Sequence, residues 1–111
     1  TSDAFNAVAE PRRREILELL AQGEREVGSL VAATGLAQPQ VSKHLRVLRE
    51  VGLVTVRAEG QKRVYAVNAD GLREVHTWVS RFERLWDHKL DRIKQRAEHA
   101  ARAAREIARN Q

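Results

Sequence analysis

Apolar side chains recur at helical spacing along most of this chain and switch to strand alternation in one short stretch. Phe5, Val8 and Ala9 form the first group, with Ser2 and Asp3 placed to cap a helix that ends at Glu10. Pro11 suits the first turn of a second helix, to about Gln22, whose stripe is Ile16, Leu17 and Leu20 and whose end is Gly23. Val27, Leu30 and Val31 predict a third helix over Val27 to Thr34, closed at Gly35, where a left-handed backbone costs little. Val41, Leu45 and Leu48 predict a fourth over about residues 38–50, with Pro39 in its first turn. The period then becomes two: Leu53, Thr55 and Arg57 alternate with Val54 and Val56. Glu59-Gly60-Gln61-Lys62 reads as a turn and Arg63 to Val67 as a second strand, a hairpin over about residues 53–67. Asn68-Ala69-Asp70-Gly71 is a turn and cap. From Leu72 onward there is neither Gly nor Pro, so one long helix is expected.

The fourth helix has two unlike faces. At 100° per residue, Val41, Leu45 and Leu48 fall in one narrow sector, while Ser42, Lys43 and Arg46 lie roughly opposite with Gln40 at their edge. No Asp or Glu interrupts that outer face before Glu50. Amide, hydroxyl and cationic side chains are the ones that bond base edges and phosphates. A short helix, a Gly-containing turn and such a helix read as a helix-turn-helix, although an ordinary helical hairpin with a solvated face fits this stretch equally well. The hairpin directly after it decides between them. It is a wing behind the reader helix, with Gln61, Lys62 and Arg63 at its tip facing a phosphate backbone or minor groove.

Composition sharpens this picture. The 111 residues make one domain's worth, carry 20 Lys and Arg against 15 Asp and Glu, and have a pI near 10.4, which favours a polyanionic partner. There are no cysteines, so disulfides and thiolate metal sites are excluded. No apolar stretch approaches the length of a membrane span and no signal peptide is visible, so no membrane partner and a cytoplasmic location are expected. No Gly-rich phosphate loop, nucleophile elbow or carboxylate pair is present, and Ser42 and His44 point about 200° apart on their helix, so no enzyme is expected.

The run QPQVSKHLRVLREVGLVTVRAEGQKRVYAV, with EPRRREILELL upstream, resembles the ArsR/SmtB family of dimeric winged-helix bacterial transcription regulators over roughly residues 4 to 90. The resemblance implies a mainly α fold with a small β-hairpin, a winged helix-turn-helix dimerising through a long C-terminal helix. It also implies a homodimeric repressor on a pseudo-palindromic double-stranded operator, released by a signal that these residues do not name. Residues 1–68 would then hold the DNA-binding region, and 69–111 the dimerisation helix with a basic Ala/Arg-rich tail, within the same domain. Gln38, Gln40, Ser42 and Lys43 would read base edges; Arg46, Arg57, Lys62 and Arg63 would neutralise phosphates, with Gln61 beside them at the wing tip. Ala37 stands where the family often has Ser, so the usual hydroxyl cap of the reader helix is missing.

Two further stretches bear on signalling and assembly. Where metal-sensing members carry a cysteine box, this chain has Glu26 and Gly28. Other members bind zinc through a D-x-H, ten residues, H-x-x-E/H pattern, and Glu74-Val75-His76 resembles its first half. His88 and Asp91 stand one place too late for the second, and one residue rotates a helix by about 100°. Glu74, His76, His88 and Asp91 are therefore not expected to converge, and no cofactor is expected. Leu72, Val75, Val79, Phe82, Trp86, Ile93, Ala97, Ala100, Ala104 and Ile107 step mostly by three and four, a seam that exceeds what one small domain covers. With Phe5, the residues Val75, Val79, Phe82, Trp86 and Ile93 are the expected dimer interface. The alternatives are a zinc-responsive repressor with its site on that helix, and a winged helix used only for protein contacts.

Overall fold

The computed structural model describes residues 3–110. In chain order it holds α1 (Ala4–Ala9), α2 (Pro11–Ala21), β1 (Arg25–Glu26), α3 (Val27–Thr34), α4 (Gln38–Glu50), β2 (Val54–Glu59) and β3 (Lys62–Val67). A 3-10 turn (Ala69–Leu72), α5 (Arg73–Ser80) and α6 (Glu83–Arg109) complete it. Two compact units divide the chain, Thr1–His76 and Thr77–Gln111, with the boundary inside α5.

In the first unit α1 to α4 gather around one apolar core. Ile16, Leu30, Val41, Leu45, Leu48, Leu53 and Val54 are fully buried, so the stripes expected for α2, α3 and α4 supply core residues. In α1 the inward face is that of Ala4 and Ala7 instead of the expected Phe5, Val8 and Ala9, of which Ala9 is exposed, because a helix this short seats its small residues closest to the core. Asp3 caps α1, accepting from the Asn6 N–H at 2.8 Å; Ser2, the other expected cap, lies outside the described residues. Glu10 caps α2, accepting from the Arg13 N–H at 2.9 Å. The arginines that follow serve the preceding helix. Arg13 donates to the carbonyls of Ala7 at 2.7 Å and Asn6 at 3.1 Å, and Arg14 to those of Val8 at 2.8 Å and Ala9 at 3.2 Å. A six-residue helix leaves most of its carbonyls without internal partners, and these guanidinium groups supply them.

The sheet has the order β1-β3-β2, both pairs antiparallel. Val54 and Val56 turn inward while Thr55 and Arg57 are exposed, as alternation requires. Leu53 departs from its expected place opposite them: it precedes β2, donates its N–H to the Leu48 carbonyl at 2.9 Å, and is fully buried behind α4. β1 is the other addition, two residues too short to carry a periodic signal. Asn68 fastens the far end of the wing, its side-chain amide donating to the Gly52 carbonyl at 2.9 Å and its N–H to that of Leu53 at 2.8 Å. A Cβ on Gly71 would collide with that same Gly52 carbonyl, which explains a glycine here without a positive φ.

The second unit holds the end of α5, a turn and α6. The single helix expected from Leu72 is interrupted, because Arg81 and Phe82 donate to the carbonyls of Trp78 at 3.2 Å and Val79 at 3.0 Å in tight 3-10 fashion. The Trp78 and Phe82 rings meet edge to face across this turn, centroids 5.2 Å apart. Beyond it α6 runs 27 residues, with Leu85, Trp86, Leu90, Ile93 and Ile107 all 57–63% exposed. No helix among the described residues is long and apolar enough to cross a membrane.

Candidate nucleic-acid interface

The corner between α3 and α4 is fixed by short-range bonds. Gly35 takes the left-handed conformation at φ 73° and donates to the Val31 carbonyl at 3.0 Å. The Thr34 hydroxyl donates to the Leu30 carbonyl at 2.7 Å and accepts from the Leu36 N–H at 3.2 Å. Val41, Leu45 and Leu48 then seat α4 on the core, leaving Gln38, Gln40, Ser42, Lys43, Arg46 and Arg49 exposed on the other side. Ala37 offers no cap hydroxyl, and the bond that remains runs the other way: the Gln40 side-chain Oε1 accepts from the Ala37 N–H at 3.2 Å. Ala37 has no side-chain acceptor, so this is the reciprocal half of a capping box alone. Gln40 therefore holds the helix start with its oxygen and keeps only its NH2 donors for a ligand.

Charge on the wing is divided between paired and unpaired groups. Arg57 on β2 bonds Glu24 at 2.6 Å and Glu59 at 2.7 Å. The hydrogen bond that Arg57 donates to Glu59, and then that to Glu24, raise the Arg57 pKa above its ordinary value, and the same bond from Arg57 lowers that of Glu59. Lys62 lies 3.6 Å from Glu26. Arg63 on β3 instead joins Ser42, Arg46 and Arg49 of α4 around a cleft of about 240 Å³. Leu45 and Tyr65, both buried, complete its lining.

Residues 10–56 match the family model described as bacterial regulatory protein, arsR family, which covers α2 through the first half of β2. The chain is 40% identical over 79 residues to HTH-type transcriptional regulator Rv2034 of Mycobacterium tuberculosis, a match covering 71% of this chain and 74% of that one. It belongs to the ArsR family. It is also 28% identical to the transcriptional repressor SdpR of Bacillus subtilis, over 80% of this chain and 99% of that protein. A homodimeric winged helix-turn-helix DNA-binding domain from Mycobacterium bovis, solved in solution, superposes with a TM-score of 0.58 at 38% identity, covering 69% of this chain and 74% of that one. The ArsR chain described here is thus a winged helix-turn-helix DNA-binding transcriptional regulator, of a class that is not enzymatic.

The ArsR frame sorts the residues singled out from sequence. Gln38, Ser42, Lys43 and Arg46 are exposed on α4, and Gln61 is exposed in the wing's turn. Arg57 departs from the expectation of a phosphate-facing cation, because its guanidinium is committed to two carboxylates; Lys62 is part-committed to a third. The cause is β1, whose pairing with β3 brings Glu24 and Glu26 to the wing. Arg49 was not anticipated, yet it repeats Ser42 and Arg46 at helical spacing, and that spacing is the signal that finds it. On the reverse side of α4, His44 leaves its Nδ1 buried without a hydrogen-bond partner among the described residues. Among those residues no three His, Asp or Glu gather as a metal requires, Glu74, His76, His88 and Asp91 included.

Proposed function

We propose that this regulator is a homodimeric repressor that acts in the cytoplasm on a pseudo-palindromic operator. Residues 1–68 provide the DNA-binding part and 69–111 the dimerisation part. Two reader helices enter successive major grooves, about 34 Å apart along the duplex. Gln38, Ser42, Lys43 and the donor side of Gln40 read base edges, while Arg46, Arg63 and, at the wing tip, Gln61 and Lys62 lie along the backbone. Phe5, Val75, Val79, Phe82, Trp86 and Ile93 form the contact between subunits, and the exposed apolar side chains of α6 favour a second helix against them.

The observation that carries this reading is the outer face of α4, cationic and amide-bearing, uninterrupted by any carboxylate up to Glu50 and set on a rigid turn in an ArsR chain. Selection of bound duplexes from a random pool, with and without added zinc, tests it. A two-fold symmetric consensus with half-sites one helical turn apart is expected, unchanged by zinc. A Lys43→Ala/Arg46→Ala double variant that binds the selected duplex as tightly as the wild type refutes the assignment of the reader face. A sedimentation profile showing only monomer at micromolar concentration refutes the paired arrangement.

A further inference from the structure

The cleft between α4 and β3 gathers three guanidinium groups, those of Arg46, Arg49 and Arg63, beside the Ser42 hydroxyl. None of the three has a hydrogen bond or an ion pair among the described residues. Elsewhere in the first unit the arginines are engaged: Arg12 by Glu15, Arg13 and Arg14 by backbone carbonyls, Arg25 by Ser29 and Gln22, Arg57 by Glu24 and Glu59, Arg73 by Asp70. Three like charges around one small cleft repel one another, and no carboxylate lines it to relieve them. Leu45 and Tyr65 exclude water from one side, which strengthens attraction for an anion placed there. Guanidinium groups present planar pairs of donors that match two oxygens of a tetrahedral phosphate.

We propose that this cleft is a seat for a single phosphate, with Arg49 and Arg63 closing on it from the two elements and Arg46 and Ser42 completing the set. In the DNA-bound protein, the reading on which this rests, its occupant is one backbone phosphate in each half-site. Because the seat spans helix and wing, that phosphate ties β3 to α4 and sets how deep the reader helix lies in its groove. The wing's contribution then runs through Arg63 rather than through its tip or through Arg57. A free phosphate shares the same chemistry, and the experiment separates the two sources.

Duplex binding by the full chain is titrated over a range of salt for the wild type, Arg49→Gln, Arg49→Lys and Arg57→Gln, with thermal melts confirming that each variant folds. Arg49→Gln is expected to lower the salt slope by about one unit on operator and on random duplex alike. Arg49→Lys keeps the slope but binds more weakly, since a point charge replaces a fork. Arg57→Gln leaves the slope unchanged. Replacing one backbone phosphate after another by methylphosphonate identifies the occupant: at one position per half-site, wild type and Arg49→Gln become equal. If no position does so, or if Arg49→Gln keeps the full slope while Lys43→Ala/Arg46→Ala loses it, the seat is overturned and DNA binding stands. If the wild type binds no duplex, DNA binding falls, and inorganic phosphate decides the seat. Saturable shifts of the Arg49 and Arg63 Nε resonances then retain it for a free anion, and unshifted resonances overturn it.

Discussion

Two arginine triplets sit on this fold, and they have opposite fates. Arg12, Arg13 and Arg14 are consecutive and open a helix where the dipole disfavours cations, so helix stability gives no reason for them, and their sequence fits a DNA backbone, an acidic neighbour or a solvated surface with Arg13 in a structural pair. Their donors are nevertheless consumed internally by Glu15 and by the carbonyls of Asn6, Ala7, Val8 and Ala9. Arg46, Arg49 and Arg63 are scattered in sequence and meet only in three dimensions, where none of their guanidinium groups has a partner among the described residues. A count of positive charge therefore says little about where a polyanion binds. The informative quantity is the set of donors left over after the fold has met its own needs.

The largest effect that sharpens this contrast comes from the consumed triplet. Arg13→Ala removes the partners of the part-buried Ala7 carbonyl and the exposed Asn6 carbonyl, and leaving the part-buried one unpaired costs about 1–3 kcal/mol. Chemical denaturation is expected to show that loss, while the salt slope for duplex binding stays at the wild-type value. Arg46 and Arg49 variants should show the converse. A slope lowered by Arg13→Ala as much as by Arg49→Gln would erase the distinction between the two triplets.

Next in size is a change that converts a consumed cation into a free one. Glu24→Gln/Glu59→Gln leaves Arg57 without either carboxylate, and the salt slope on random duplex should steepen by about one unit. Folding stability should change little, because these are solvent-exposed pairs. An unchanged slope would show that Arg57 points away from the duplex even when released.

The sequence made one half of this picture legible and hid the other for identifiable reasons. The bounds of α3 and α4 follow from stripes at helical spacing and from Gly35, which the structure places in the left-handed conformation the corner needs. The wing follows from alternation and from a turn whose Gly60 also has positive φ. β1 was invisible because two residues carry no period, and with it went the pairing of Arg57 and Lys62. The break at Arg81 and Phe82 was invisible because it uses neither Gly nor Pro but a ring contact between Trp78 and Phe82. Leu53 fitted the alternation yet belongs to the core, since the chain has not entered β2 when it reaches that residue. Arg49 is legible in the sequence, since it continues the helical spacing of Ser42 and Arg46 on the outer face of α4, although the resemblance assigns it no contact.

The smallest effect concerns the carboxylate that opens the consumed triplet. Partial burial would raise the Glu10 pKa. The Arg13 N–H bonded to it outweighs this, together with the charges of His44 and Arg13 and the Arg12 N–H, and the group lies below its ordinary 4.5. A carboxyl depressed in the folded state adds stability that is complete above the unfolded value and is lost as pH falls through the folded one. Glu10→Gln keeps an acceptor for the Arg13 N–H but no charge at the start of α2. Its melting temperature should therefore trail the wild type by a small margin from neutrality down to about pH 4.5, small because the group is so accessible. Below that range the margin should close as the wild-type carboxyl takes up its proton. A margin that persists at lower pH would mean that Glu10 acts through the shape of its cap rather than through its charge.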